Sequence, residues 1–326
     1  MSNSPFLSNC TEDTIREASA ALKAGHLVAF PTETVYGLGA DARNPDAVKR
    51  IYEVKGRPTD HPLIVHISSI NQIEKWASEI PDYAISLARV FWPGPMTLIL
   101  KRSEIAGDFI TGGQDTLGLR VPSNPIALAL IQEFEKISDS AIAAPSANRF
   151  GQVSPTSMKD VEEELGLYLS TYDKILDGGN SNIGIESTII DCTRDYPKVL
   201  RHGFVTPEDL CGVVVLKDES SSDVKQIKFS GSFSSHYAPK CSVFLGGNPK
   251  PGEGFLALSD VDTPNGVHRI STPTNVHEFM RVLYASFRRA DHLGLPAIWV
   301  QIPSESGLWL AVLDRISKAS CGNSNV

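Results

Sequence analysis

Apolar and polar residues at positions 1 to about 215 are arranged in a pattern that predicts alternating strands and helices. Short apolar runs bounded by turn residues indicate strands, and longer stretches of helical periodicity indicate helices. This order predicts an α/β fold built around a large sheet. The predicted strands are 26–30, 62–67, 96–100, 117–121, 141–146 and 187–191, and the predicted helices are 14–24, 45–55, 81–91, 125–136 and 157–165.

Two of these helices begin with the same signal, an asparagine followed by a proline. Asn44 and Asn124 can accept hydrogen bonds from the first free N–H groups, and proline suits the first helical position because it has no N–H. Gly56 is placed to end the first of the two helices. Lys55 and Arg57 therefore lie where a helix leads into a buried strand.

A serine-rich stretch at 216–238 has almost no periodic apolar signal, which predicts a flexible linker that could close as a lid. The alternating pattern then resumes, with strands at 241–247, 254–259, 268–272 and 297–302 and helices at 275–292 and 307–319. We therefore predict a large α/β domain at 1–215, a linker at 216–238 and a smaller α/β domain at 239–326.

Composition excludes several classes of protein. An apolar content of 41% is typical of a globular core, and a net charge of −8 argues against an extended basic surface for nucleic acid, although weak RNA contact stays open. The five cysteines are scattered and form no C-x-x-C pair, which favours a reducing compartment. With no apolar stretch long enough for a membrane span and no signal peptide, we predict a cytoplasmic protein with no membrane association.

Hydroxyl groups and glycines follow two of the predicted strands. The segment FPTETVYGLGADA (30–42) contains Thr34 and two glycines that could let backbone approach a ligand, but taken alone it is more typical of a tight turn after a strand. The segment APSANRFGQVSPT (144–156) could be a phosphate cradle or a capped turn. Its candidate ligand groups are Ser146, Asn148 and Ser154.

Cations stand at or near the ends of successive predicted strands. Lys55 and Arg57 flank Gly56, and Pro58 and Pro62 follow and restrict the backbone, although cations at a helix end also satisfy carbonyl groups. Arg120 lies among apolar residues, so its partner must be either a structural carboxylate or the carboxylate of a ligand. Together with Arg201 these cations suit an anionic ligand. The sequence contains no Walker loop, no G-x-S-x-G and no H-E-x-x-H.

Eight segments, in this order, resemble the Sua5/YrdC family of threonylcarbamoyl-AMP synthases. They are FPTETVYGLGADA, KGRPTDHPLIVHI, FWPGPMTLIL, LGLRVP, PSANRFGQVSPT, GIESTIID, VLRHG and SSHYAPK, and they span about 30 to 240. The tail after 240 is similar to the additional domain of Sua5-type members. Phe150 stands where a small serine is common in the family.

The resemblance implies a twisted mixed α/β sheet with a large concave site and a smaller Rossmann-like C-terminal domain. It implies a nucleotidyltransferase that converts L-threonine, bicarbonate and ATP, with Mg²⁺, into threonylcarbamoyl-AMP and pyrophosphate. The product would pass to proteins that build the tRNA nucleoside t6A.

The resemblance also implies roles for individual residues. Lys55 and Arg57 would be the catalytic cations, because charge neutralisation and alignment suffice for this reaction without a protein nucleophile. The residues implied around L-threonine are Thr34, His66, Arg120, Ala144 and Ser187. The residues implied around ATP are Arg57, His61, Thr116, Ser146, Asn148, Ser154, Arg201 and Tyr237. His66 could instead be an ordinary core histidine, since it lies within an apolar strand.

Two other functions stay open. A double-stranded RNA or tRNA-binding module without synthase activity could also use a wide positive concavity. Carbamoyl transfer in metal-cofactor maturation would use carbamoyl phosphate and ignore threonine, but the sequence lacks the zinc-finger cysteines that such proteins tend to carry.

Overall fold

The computed structural model describes residues 10–216, 227–229, 231 and 236–321. Most of the linker predicted at 216–238 lies outside the described residues. None of the helices in the described ranges is long and apolar enough to cross a membrane.

Within the described ranges, the larger part of the chain contains ten strands and eight α-helices. In chain order they are α1 (Glu12–Lys23), β1 (Val28–Phe30), β2 (Gly37–Asp41), α2 (Pro45–Lys55), β3 (Ile64–His66), α3 (Ile73–Trp76), β4 (Ala77–Ser78), α4 (Asp82–Phe91), β5 (Met96–Arg102), α5 (Asp108–Thr111), β6 (Thr116–Arg120), α6 (Pro125–Ser138), β7 (Ile142–Ala143), α7 (Met158–Leu165), β8 (Lys174–Ile175), β9 (Thr188–Asp191), β10 (Lys198–Arg201) and α8 (Pro207–Cys211).

These strands form one mixed sheet in the order β10-β9-β5-β6-β3-β7-β2-β1-β8. Strand β4 pairs with β5 but is not part of this order. Strands β3 and β6 run parallel, so that their last residues, His66 and Arg120, are direct neighbours in register. The exit of β10 lies against the entrance of β9, because these two strands are antiparallel. The sheet therefore brings residues that are far apart in sequence to one region.

The helix starts follow the sequence signals. The side chain of Asn44 accepts hydrogen bonds from two backbone N–H groups of α2, and Asn124 does the same for α6. Gly56 ends α2 with a φ of 62°, a left-handed conformation that glycine adopts at little cost. The predicted boundaries of both helices are confirmed to within about two residues.

The segment 37–41 differs from the expectation of a glycine turn or a ligand-binding loop, because it is strand β2, which lies between β1 and β7 in the sheet. A Cβ atom on Gly39 would lie 2.7 Å from Cγ2 of Ile142 and 2.9 Å from the ring of Phe30. Glycine is therefore required there by side chains packed across the sheet, and not by a ligand.

The smaller C-terminal part is a parallel α/β unit, as predicted. Its elements are β11 (Ser242–Leu245), β12 (Gly254–Leu256), β13 (His268–Ser271), α9 (Val276–His292), β14 (Ala297–Val300) and α10 (Trp309–Ser320). The strands form one sheet in the order β11-β14-β12-β13, and every neighbouring pair is parallel.

The two parts of the chain share a packed apolar interface. Val35, Val153 and Ile185 of the larger part join the same buried cluster as Phe279 and Leu283 of α9. The smaller unit therefore packs directly against the segments that lead into β2 and β9.

Candidate active site

A concavity on the large sheet encloses about 460 Å³ of empty space, counted to its open mouth. The centre of a water molecule can occupy about 40 Å³ of this space, and part of the remainder is open to solvent at the mouth. Its wall is built from the loop before β2, the ends of β3, β6 and β10, the loop after β7, the entrance of β9, and residues 236–237. The lining residues are Thr32, Thr34, Val35, Tyr36, Gly37, Ile64, His66, Arg120, Ala144, Pro145, Ser146, Glu186, Ser187, Arg201, His236 and Tyr237.

Arg120 is paired within the protein. Its Nη2 lies 2.7 Å from Oε1 of Glu33, both side chains are buried, and its Nε donates to the carbonyl oxygen of Gly94 at 3.3 Å. Of the two partners that the sequence left open, the structure contains the structural carboxylate. Oε2 of Glu33 has no hydrogen-bond partner. The charge of Arg120 is thus balanced at the cavity wall.

His66 is the last residue of β3 and is buried beside Arg120. Burial, and then the positive charge of Arg120, lower the pKa of its imidazole to about 3. The ring is therefore neutral at physiological pH, and its Nδ1 has no hydrogen-bond partner. The core around His66 therefore leaves one ring nitrogen without a hydrogen bond, in a residue that lines the cavity.

Hydroxyl groups line the same part of the wall. Oγ1 of Thr34 lies 2.8 Å from Oγ1 of Thr32. Oγ of Ser187 lies 2.8 Å from Oγ1 of Thr97 and accepts from Nη2 of Arg201 at 3.1 Å. These contacts hold small polar groups in fixed positions around the neutral histidine and the balanced arginine.

Lys55 lies behind the cavity wall. It is almost fully buried, and its Nζ donates to the carbonyl oxygen of Ser146 at 2.6 Å and to that of Asn148. Burial, and then the charge of Arg57, lower the pKa of Lys55 well below its usual value. The ammonium group thus fixes the loop after β7 by holding two of its carbonyls.

Arg57 is the second buried cation on this side. Its Nη2 donates to the carbonyl oxygen of Pro62 at 3.0 Å, and its Nε has no partner. Burial lowers the pKa of Arg57 to about 10, and Arg201 adds to this lowering. Within the described parts of the chain, no carboxylate lies within ion-pair distance of either Lys55 or Arg57. This side therefore has an excess of positive charge.

The predicted site residues fall into two groups. Eight of them line the cavity together: Thr34, His66, Arg120, Ala144, Ser146, Ser187, Arg201 and Tyr237. Six lie outside its lining: Lys55, Arg57, His61, Thr116, Asn148 and Ser154.

Three of the predicted residues outside the lining lie close to the residues that form it. Thr116 lines an adjoining cavity that shares Ile64 with the main one and is bordered by Lys228. Asn148 donates to two carbonyls of its own loop, and its buried Oδ1 has no partner. Oγ of Ser154 donates to Glu186 at 2.6 Å.

His61 and Phe150 complete the side with excess positive charge. Burial, and then the charge of Arg57, lower the pKa of His61 to about 4. The ring of Phe150, which replaces the small serine common at this position, meets the ring of His61 edge to face at 5.4 Å. It meets His236 in the same way at 6.0 Å, so that Phe150 fills the space between the loop and the 236–237 segment.

Tyr237 reaches the cavity with an unusual backbone. Its φ is 63°, its side chain is buried, and its hydroxyl has no hydrogen-bond partner. Burial raises the pKa of Tyr237 to about 12. A Cβ atom on Gly231 would lie 2.4 Å from the Tyr237 hydroxyl, so glycine permits this approach.

Two buried residues of the smaller unit were missed by the sequence analysis, namely Tyr284 and Arg315. Both reach Glu186 at the cavity wall. Arg315 occupies the same helical face as the buried Val312 and Ala319. A cation on the apolar face of a helix needs a buried partner, and this signal could have identified it.

Comparisons with known proteins agree with this geometry. The Sua5/YciO/YrdC family model, described as telomere recombination, matches residues 20–203, and the model of the threonylcarbamoyl-AMP synthase C-terminal domain matches residues 205–321. The chain belongs to the Sua5/YrdC family. The predicted fold class and family are confirmed, whereas the domain boundaries and the roles of single residues stay predictions.

Similar proteins include two synthases and a solved structure. A threonylcarbamoyl-AMP synthase of Pyrococcus abyssi is 40% identical over 328 residues, covering 94% of each chain. Another, from Bacillus subtilis, is 37% identical and covers 94% of this chain and 93% of its own. The crystal structure of P. abyssi Sua5 complexed with L-threonine has a TM-score of 0.84 and 39% identity, covering 97% of this chain and 96% of that chain.

A structure of T. kodakarensis HypF shares the fold alone. It has a TM-score of 0.51 and 17% identity, covering 92% of this chain and 36% of that chain. At this identity the likeness carries no functional argument.

Proposed function

We propose that this protein is a threonylcarbamoyl-AMP synthase, which forms threonylcarbamoyl-AMP and pyrophosphate from L-threonine, bicarbonate and ATP. The observation that carries the proposal is a single cavity with two different sides. One side is charge-balanced and rich in small polar groups, and the other is backed by buried cations without carboxylate partners.

The balanced side suits L-threonine. A free amino acid is a zwitterion, so a wall arginine that is itself paired with a buried glutamate presents a balanced pair of charges to it. The neutral His66 and the hydroxyl of Ser187 line the cavity and would receive its polar groups. The P. abyssi relative was solved in complex with L-threonine, which supports L-threonine as a ligand of this protein.

The positive side suits the triphosphate of ATP. Lys55, Arg57 and Arg201 all have lowered pKa values, with burial as the main cause and neighbouring cations adding to it. An anion bound beside them would relieve that repulsion, because opposite charge favours the protonated form. The glycine-containing loop after β7, fixed by Lys55, would present backbone groups to the phosphates.

The chemistry needs alignment more than a reactive side chain. The neutral amine of threonine takes up bicarbonate with loss of water to give a carbamate. A carbamate oxygen then attacks the α-phosphorus of ATP, and pyrophosphate leaves with the electrons of the broken P–O bond. Fixed cations stabilise the charge that develops on the phosphates, and closure by residues 236–237 would keep water from the labile carbamate.

Mg²⁺ belongs to the proposal as the ion that accompanies ATP. It prefers phosphate oxygens and water, with one or two carboxylates from the protein, and it neutralises phosphate charge when bound. The described residues contain no cluster of three or more His, Cys, Asp or Glu side chains.

The product would pass to proteins that transfer the threonylcarbamoyl group to tRNA. We place the activity in the cytoplasm, in keeping with the scattered cysteines of the sequence. Weak contact with RNA stays part of the proposal.

The test is pyrophosphate release by the purified protein with ATP, Mg²⁺ and bicarbonate, with and without L-threonine. We expect release that depends on threonine, and product of the mass of threonylcarbamoyl-AMP. Absence of threonine-dependent release would contradict the proposal. RNA that binds with a steep dependence on salt, without competition from ATP or threonine, would favour an RNA-binding module instead.

A further inference from the structure

We infer that Arg315, in the last helix of the C-terminal unit, is a positioning residue that fixes the cavity wall of the larger domain. The inference rests on the proposed function and assigns the smaller unit a part in the same site. Arg315 touches none of the space in which substrates would bind and is completely buried. Its effect must therefore act through the residues that it holds.

Glu186 is the first of these residues. It lines the cavity, and its Oε2 accepts from Nε of Arg315 at 2.9 Å and from the hydroxyl of Tyr284 at 2.9 Å. Its Oε1 accepts from Ser154 at 2.6 Å. Burial would raise the pKa of Glu186, but Arg315, Arg201 and the hydroxyl of Ser154 outweigh it and lower the pKa to about 2.

Arg315 also joins the two strands that carry the cavity residues. Its Nη1 donates to the carbonyl oxygen of His202 at 2.8 Å, directly after Arg201 at the exit of β10. Its Nη2 lies 3.4 Å from the carbonyl oxygen of Glu186, directly before Ser187 at the entrance of β9. One rigid guanidinium thus spans both strands at the points where Ser187 and Arg201 enter the wall.

A third contact reaches the 236–237 segment. The guanidinium carbon of Arg315 lies 5.5 Å from the ring centre of Tyr237, a distance typical of a cation–π contact. Cavity residues on three segments, Ser187, Arg201 and Tyr237, therefore depend on one side chain from the smaller unit.

The charge of Arg315 is already matched, which argues against a role in binding substrate anions. Besides Glu186, it pairs with Asp314 at 2.6 Å, and Asp314 also pairs with Lys318 at 2.8 Å. These two cations and two carboxylates form a closed group at the interface. The guanidinium therefore acts through its geometry, because its donors hold the ends of both strands that line the cavity.

The test compares Arg315→Lys with Arg288→Lys, a matched control. Arg288 is also a buried arginine of the smaller unit that bonds to the larger part, through Glu164 and the carbonyl of Val153, but it does not touch the cavity lining. Lysine keeps the positive charge in both variants but lacks the planar fork of donors with which arginine reaches Glu186 and the carbonyl of His202 together. Thermal unfolding first establishes that both variants are folded at the assay temperature.

We expect Arg315→Lys to raise the KM for ATP by about 10-fold and to lower kcat less, and Arg288→Lys to change this KM by less than about twofold. Tyr284→Phe removes a single donor to Glu186 and should raise the KM for ATP about two- to fourfold even if Arg315→Lys does not fold. A KM in Arg315→Lys or Tyr284→Phe no larger than that of the control would overturn the inference.

The affinity for a non-hydrolysable ATP analogue, measured by calorimetry, separates this inference from the proposed function. An inactive wild-type protein would contradict the proposed synthase activity. The same protein would still test the positioning role, because analogue binding that weakens about 10-fold in Arg315→Lys but not in Arg288→Lys needs no turnover. Equal affinities in the two variants would count against the role of Arg315.

Discussion

The two sides of the cavity differ in how their buried positive charges are balanced. On the Arg120 side, the arginine is paired with Glu33, and the neighbouring His66 is neutral. On the Lys55 side, the hydrogen bonds of Lys55 and Arg57 go to backbone carbonyls, and burial and neighbouring cations lower the pKa values of both. The difference indicates a zwitterion on the first side and a polyanion on the second, which is the pair of substrates that the proposed reaction needs.

The largest predicted effect falls on the Lys55 side. Lys55→Met removes a cation and frees two carbonyls of the loop after β7, so we expect kcat/KM for ATP to fall about 100-fold. Lys49→Met is the control, since Lys49 lies on the same helix but is exposed and pairs only with Glu53. Steady-state kinetics with each substrate varied would check this. A loss confined to threonine would contradict the assignment of the two sides.

The next effect falls on the Arg120 side. Arg120→Ala should raise the KM for threonine about 30-fold and leave that for ATP within about threefold. The variant also strands the buried carboxylate of Glu33, at a cost to stability of about 3–5 kcal/mol. The double variant with Glu33→Gln should recover most of that stability without recovering the threonine KM. Equal losses for both substrates would indicate a general loss of structure.

A pH dependence of stability follows from the neutral histidines. Burial lowers the pKa of both His66 and His236 to about 3, whereas the unfolded chain takes up their protons below about pH 6.5. Unfolding then binds protons, so stability should fall by roughly 1 to 1.5 kcal/mol per histidine between pH 7.5 and 5.5.

Urea unfolding at the two pH values measures this dependence. Glu186 does not contribute in that window, because its folded pKa of about 2 lies below its usual value and its effect is lost only at lower pH. His66→Gln should reduce the pH dependence by the share of one histidine. A wild-type stability that is the same at pH 7.5 and 5.5 would show that the histidines are not held neutral.

The smallest predicted effect concerns Gln114, which holds residue 228 next to the positive side. Its Nε2 donates to the carbonyl oxygen of Lys228 at 3.0 Å, and its Oε1 accepts from the N–H of Lys228 at 2.8 Å. Gln114→Ala removes both bonds and should raise the KM for ATP about two- to fivefold without changing that for threonine. A larger rise in the KM for threonine than in the KM for ATP would contradict the assignment of this contact to the ATP side.

The sequence predicted the helices and most strands because their signals are local. Asparagine–proline starts, glycine stops and apolar runs depend on neighbouring residues, and the structure contains helices α2 and α6 where these signals lie. Strand β2 was missed because its two glycines resemble a turn. Gly39 is required by close packing against Phe30 and Ile142, which depends on contacts across the sheet, and Gly37 lines the cavity.

The sequence predicted which residues belong to the site, but not which residues form ion pairs with each other. The motifs identified the cations, but the partner of Arg120 is Glu33, 87 residues away in the chain, and only the fold brings the two together. The partner of Glu186 was harder still to predict, because Arg315 lies in the smaller unit, 129 residues away in the chain. Long-range ion pairs of this kind leave no local pattern beyond a charge on an apolar face.

Simultaneous binding of both substrates tests the central claim most directly. Calorimetry would measure L-threonine binding to protein that is already saturated with a non-hydrolysable ATP analogue and Mg²⁺. Two separate sides predict one threonine per chain, bound at least as tightly as without the analogue, since the analogue neutralises the adjacent cations. Loss of threonine binding in the presence of the analogue would show that the two ligands compete for one position, and the distinction between the two sides would be wrong.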